Sequence, residues 1–202
     1  MAAQAVAFAA SKVLWFIKYR DKHNIPQDLD RGLLITPNHQ TYFDPFWVCT
    51  PIRRKMRFMA WAGAFDWFIV GTLIRHLGSF PVTYEVGGTK NAMKEALRSL
   101  RDGATLLIFP EGERGRTDGK LREFKTGAVR IAMQAGVPIL PVTIKGANRV
   151  WPQQVKYPKF FRRVEIIYHP LFEVPPPAEN EDPREHLEKL TAKLKEIIGS
   201  AM

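Results

Sequence analysis

The chain has 202 residues, 46% hydrophobic and 25% charged, a balance that suits one folded domain with a sizeable core and excludes disorder as the default. The formal net charge of +10 points to anionic partners, whether nucleic acid, anionic lipid or a phosphorylated ligand. The single cysteine, Cys49, excludes an internal disulfide, and the five scattered histidines (His23, His39, His76, His169, His186) show no zinc-type spacing, so no metal is expected.

In chain order, the first feature is an apolar run over residues 5–17 that meets Lys18 and Arg20. It is shorter than the roughly 20 apolar residues a spanning helix needs. No basic region precedes it, so a secretory leader is not expected. It predicts a helix over 1–20, either lying in a membrane interface or packed on the domain. A second apolar stretch, 61–80, contains Asp66, Arg75 and His76, which argue against a simple spanning helix.

Short apolar and β-branched runs predict strands at 33–36, 56–59, 80–84, 105–109, 139–144 and 164–168. Helices intervene. Residues 90–101 place Ala92, Ala96, Leu97 and Leu100 on one face, and residues 125–135 do the same with Ala128, Ile131, Ala132 and Ala135. Gly136 and Pro138 stop the second of these. After Pro175-Pro176-Pro177, Asp182 caps a last helix in which Pro183 suits the first turn. Strands alternating with helices predict a single α/β layered domain, a mixed sheet flanked by helices, with ligands gathered at strand ends.

Two motifs sit just after predicted strands. The first is Pro37-Asn38-His39-Gln40-Thr41-Tyr42-Phe43-Asp44, with four residues between His39 and Asp44. A histidine takes a proton from a hydroxyl near neutral pH, and a carboxylate on its other nitrogen fixes the tautomer. None of the four serines lies in a Gly-x-Ser-x-Gly elbow, so the activated hydroxyl would belong to a substrate. The alternative is a loop histidine that caps a turn, with Asp44 as a helix N-cap. The second motif runs from Phe109 through Pro110, Glu111, Gly112, Glu113, Arg114 and Gly115 to Arg116. Its glycines allow close backbone approach to a ligand, and its arginines can fork onto phosphate. A solvated turn of mixed charge is the other reading.

Together and in this order, these motifs resemble the PlsC-type glycerolipid acyltransferases, a family that includes 1-acylglycerol-3-phosphate acyltransferases. Phe124-Lys125-Thr126-Gly127 and Val137-Pro138-Ile139-Leu140-Pro141-Val142 support the resemblance, which runs from about Gly32 to Gly146. It implies an acyltransferase domain over 21–202 that moves a fatty acyl group from acyl-CoA or acyl carrier protein to a lysophospholipid hydroxyl. The best-matched acceptor is 1-acyl-sn-glycerol-3-phosphate, giving phosphatidic acid. The resemblance implies that His39 is the general base and Asp44 its partner, and that Glu111, Gly112 and Arg114 belong to the acceptor-phosphate site. Arg116 and Lys125 are further candidates there. It implies no metal and no bound cofactor. The family usually carries an arginine just after the strand equivalent to Phe80-Pro81-Val82, where this chain has Thr83, Tyr84 and Glu85, and threonine is common where Glu113 stands.

Basic and aromatic residues cluster at Arg53, Arg54, Lys55 and Arg57, and again from Trp151 through Lys156, Tyr157, Lys159, Phe160 and Phe161 to Arg162 and Arg163. Such mixtures suit a membrane interface, and they also suit single-stranded nucleic acid or a plain solvated surface. With the acyltransferase motifs present, the expected partner is the cytoplasmic face of a membrane, met peripherally or monotopically, and not nucleic acid; the alternative readings are an acyltransferase for another lyso-lipid acceptor and a non-catalytic basic module that binds lipid or nucleic acid.

Overall fold

The computed structural model describes residues 14–66, 80–82, 88–115, 118–152 and 155–202. Among the described residues seven strands occur in chain order: β1 (Phe16–Arg20), β2 (Leu33–Pro37), β3 (Met56–Trp61), β4 (Phe80–Val82), β5 (Thr105–Leu107), β6 (Ile139–Lys145) and β7 (Arg163–Tyr168). The described helices are α1 (Asp44–Cys49), α2 (Gly88–Arg101), α3 (Gly127–Ala135) and α4 (Pro183–Gly199). The strands form one sheet in the order β1-β7-β6-β2-β5-β3-β4. Pairings are parallel except β6 with β7, so the sheet is mixed, as expected.

Alternation along the central strands explains the layers. Leu33 and Ile35 of β2 face one core with Trp47, Val48 and Leu140, while Leu34 faces the other with Leu100, Val129 and Leu194. Successive side chains of a strand point to opposite faces, so a strand covered on both sides reads as a continuous apolar run. All five residues of β2 are buried.

The expected N-terminal helix is corrected where the structure describes it. Phe16–Arg20 is a strand paired in parallel with β7, and residues 1–13 lie outside the described residues. Ile17 is buried and Tyr19 half-buried, while Phe16, Lys18 and Arg20 are exposed. That period of two suits an edge strand and cannot serve a helix. Among the described residues no helix is long and apolar enough to cross a membrane. Most of the 61–80 stretch (67–79) also lies outside the described residues.

Other boundaries shift modestly. The helix expected from Lys125 begins at Gly127, and the strand expected to reach 109 ends at Leu107, so Phe109 and Lys125 belong to loops. The last helix starts as expected: Asp182 accepts hydrogen bonds from the backbone N–H groups of Arg184 and Glu185.

Candidate active site

The site forms at the C-terminal end of β2. Pro37 has no N–H to continue the ladder, and the buried side chain of Asn38 replaces it. Asn38 Nδ2 donates to Ile144 O at 2.9 Å, and Asn38 Oδ1 accepts from Ile144 N at 2.6 Å. An amide can imitate a peptide group in this way because it offers both donor and acceptor. The strand end is thereby fixed to β6, and His39 follows it directly.

His39 Nδ1 lies 3.0 Å from Asp44 Oδ2. The Asp44 side chain is fully buried, whereas that of His39 is 16% exposed. Asp44 Oδ2 also accepts from the backbone N–H of Gln40 at 2.5 Å and of Thr41 at 2.8 Å, and Oδ1 accepts from Thr41 Oγ1 at 2.8 Å. A carboxylate surrounded by donors is an acceptor only, so the network assigns the Nδ1 proton to His39 and leaves Nε2 as the basic nitrogen. The Phe109 ring stacks on the imidazole, with centroids 3.8 Å apart and planes 17° apart. The N-cap alternative for Asp44 is not met: Phe43 is the N-cap of α1, Asp44 is its first helical residue, and the Asp44 carboxylate holds the histidine and the preceding turn.

The second motif closes over the first. Glu111 is buried, and its Oε1 accepts the backbone N–H of His39 at 2.8 Å while Oε2 accepts that of Arg122 at 2.9 Å. Burial pushes the Glu111 carboxyl above the usual carboxylate range, and the two N–H groups and nearby positive charge pull it back. Gly115 N donates to His39 O at 2.5 Å. Gly112 has φ +74°, a conformation that favours glycine, and the Lys125 side chain packs where a Cβ would lie.

The sequence-predicted residues therefore divide into groups. His39, Asp44 and Glu111 meet directly. The Arg114 guanidinium lies 3.7 Å from the centroid of the Tyr42 ring, and its Nη2 donates to the Tyr42 hydroxyl at 2.9 Å. Lys125 is exposed beside Gly112, and its backbone N–H donates to Pro110 O at 2.8 Å. Arg116 and residues 83–87 lie outside the described residues. Arg122 carried no sequence signal, yet it binds Arg114 O through Nε and Glu113 through Nη1 at 2.9 Å. Among the described residues no group of three or more His, Cys, Asp or Glu side chains is placed to hold a metal.

An aromatic band leads away from the motif. Tyr42 and Phe43 lie 5.2 and 5.3 Å from Trp151, Phe43 lies 4.8 Å from Trp15, and Trp15 lies 5.6 Å from Phe160. The band ends at the surface, where Phe16, Tyr157, Phe160 and Phe161 are 47–68% exposed. Phe161 has φ +56°, which is costly for a bulky residue, and its ring is left in solvent. Lys156, Lys159, Arg162 and Arg163 are exposed in the same segment. The other basic group is different. Arg54 turns inward, donating to the carbonyls of Leu29 and Arg31 at 2.6 Å and to Thr105 Oγ1 at 2.8 Å. Arg57 faces Glu95 at 4.0 Å, so only Arg53 and Lys55 of that group are fully exposed.

Comparison with known proteins places the chain. The Acyltransferase family model matches residues 16–145, more than half of the sequence, and the chain belongs to that family. A chloroplastic 1-acyl-sn-glycerol-3-phosphate acyltransferase of Brassica napus is 28% identical over 130 residues, 64% of this chain and 37% of the relative. The 1-acyl-sn-glycerol-3-phosphate acyltransferase of Pseudomonas aeruginosa is 27% identical over 186 residues, 86% of this chain and 65% of the relative. The chain thus spans well under half of the plant relative's length. The crystal structure of the 1-acyl-sn-glycerophosphate acyltransferase PlsC of Thermotoga maritima has the same fold. It superposes with a TM-score of 0.72 at 24% identity, covering 98% of this chain and 77% of that one.

Proposed function

We propose that the chain transfers a fatty acyl group from acyl-CoA or acyl carrier protein to the hydroxyl of a lysophospholipid, with 1-acyl-sn-glycerol-3-phosphate as the favoured acceptor and phosphatidic acid as the product. The observation that carries this reading is the His39–Asp44 pair, which presents a basic Nε2 while, among the described residues, no serine or cysteine hydrogen-bonds the ring. A base without its own nucleophile suits activation of a substrate hydroxyl. The acceptor hydroxyl gives its proton to His39 Nε2 as its oxygen attacks the thioester carbonyl. The tetrahedral intermediate then expels the thiolate, which takes that proton from the imidazolium. Asp44 stabilises the imidazolium formed between these steps. Arg114 and Lys125 supply cations for the acceptor phosphate on the loop that lies against His39, and Arg116 follows that loop in sequence. No resident cofactor or metal enters this scheme.

The reaction runs at the cytoplasmic face of a membrane, where acceptor and product both reside. The exposed aromatic and basic residues at 156–163, together with Phe16, support peripheral docking there. The absence of an arginine at 83–87 favours a second acceptor class, a lyso-lipid without the phosphate monoester. The experiment is thiol release from one acyl-CoA in the presence of lysophosphatidic acid or a neutral lyso-lipid. Release that depends on lysophosphatidic acid supports the first acceptor, and release only with the neutral lipid supports the second. Release with neither overturns acyl transfer to a lysophospholipid.

A further inference from the structure

At the end of β2 the main chain of His39 has left the sheet, and its N–H and C=O need partners from elsewhere. Both come from the second motif. Glu111 Oε1 takes the N–H at 2.8 Å across 72 residues of sequence, and Gly115 N reaches the carbonyl at 2.5 Å. The other Glu111 oxygen is occupied by Arg122 N at 2.9 Å. The residue is 3% exposed, so neither oxygen is presented to solvent.

We infer that Glu111 is a positioning residue for the base: its carboxylate, with the Gly115 N–H, clamps the His39 main chain and does not bind the acceptor. The inference rests on His39 acting as the base. The imidazole is then located from three directions, by the clamp on its backbone, by Asp44 on Nδ1 and by Phe109 on one ring face. Asp44 and Phe109 touch the ring, Asn38 and Asp44 hold the backbone on either side of His39, and the clamp holds the N–H and C=O of His39 itself. Gly115 is needed because a Cβ there would stand 2.9 Å from His39 O. Arg122 belongs to the same device, since its backbone N–H aims the carboxylate and its side chain ties down Glu113.

Glutamine tests the clamp closely. A carboxylate accepts at both oxygens, whereas a carboxamide accepts at one end and donates at the other. In Glu111→Gln one of the two backbone N–H groups therefore faces an amide donor, and the loop and His39 move apart. A displacement of the order of 1 Å in a reacting group costs about 100-fold in rate. We expect kcat to fall by about 10- to 100-fold while the KM for lysophosphatidic acid stays within about twofold. Gly115→Ala should give the same signature by pushing on the His39 carbonyl. His39→Ala is measured alongside, with circular dichroism to establish folding. Activity retained by His39→Ala overturns the base assignment itself. With His39→Ala inactive, a Glu111→Gln enzyme that keeps its kcat, or whose acceptor KM alone rises, overturns the clamp and returns Glu111 to the acceptor site. If Glu111→Gln does not fold, Gly115→Ala decides by the same split between kcat and KM.

Discussion

Asp44 Oδ2 accepts from His39 Nδ1 at 3.0 Å and from the backbone N–H groups of Gln40 and Thr41 at 2.5 and 2.8 Å. One buried oxygen thus orients the imidazole and organises the turn that carries it. Asp44→Asn turns one of these acceptors into a donor and releases the Nδ1 tautomer. We expect kcat to fall on the order of 10³- to 10⁴-fold, by analogy with removal of a triad carboxylate. The variant should also be less stable, because buried N–H groups lose their partner. Steady-state kinetics and thermal melts of the purified variant check both.

Arg114 and Lys125 are predicted to act on the acceptor phosphate. Arg114→Ala should lower kcat/KM for lysophosphatidic acid, and Arg114→Lys should restore it only in part. An ammonium copies neither the bidentate fork nor the stacking on Tyr42. Lys125→Glu should raise the KM for lysophosphatidic acid more than that for a neutral lyso-lipid. The check is a side-by-side kinetic comparison of the two acceptors. Equal effects on both would remove these residues from the phosphate site.

Phe161 holds a left-handed backbone while its ring stays 64% exposed among basic neighbours. Replacing Phe160 and Phe161 by serine should reduce sedimentation with vesicles containing anionic lipid. Neutralising Lys156, Lys159 and Arg162 should reduce it further, since a basic residue near such a surface contributes about 1 kcal/mol. High salt should weaken the second contribution and spare the first. Unchanged partitioning of both variants would contradict docking through this segment.

The start of α4 carries a pH-dependent element. His186 Nε2 lies 2.9 Å from Pro175 O, and Nδ1 makes an ion-pair contact of 2.7 Å with Glu181. The Pro175 carbonyl and the Glu181 carboxylate raise the histidine above its ordinary pKa, and the histidine lowers Glu181 below the usual carboxylate range. The histidine's contribution to stability is fully present below its unfolded pKa and is lost as pH rises through its raised folded value. The glutamate's is present above its unfolded pKa and is lost as pH falls through its depressed folded value. The Tm difference between the wild type and His186→Gln should therefore be largest between the two and shrink on either side. A difference independent of pH would contradict the pairing.

Much of the sheet was legible because its central strands are apolar runs bounded by turn residues, as at 33–36 and 139–144. The N-terminal segment misled because an apolar run rich in alanine precedes Phe16, and it masks the period of two from Phe16 to Arg20. The five-residue offset of His39 and Asp44 was readable because both lie on one turn. The roles of Glu111 and Asn38 were not, because each bonds main-chain groups 72 or 106 positions away. Local sequence does not encode such partners. Arg54 was hidden for the same reason. It reads as part of a basic surface, and its guanidinium instead ties three loops together.

In the proposed reaction His39 activates the acceptor hydroxyl for direct attack on a thioester. The measurement that tests it most directly is transfer of a labelled acyl group from acyl-CoA to lysophosphatidic acid in anionic vesicles, by the wild type and by folded His39→Ala. Labelled phosphatidic acid is expected from the wild type and none above background from the variant, with no label retained on either protein. Wild-type turnover by His39→Ala, or an acyl group bound covalently to the chain, would contradict it.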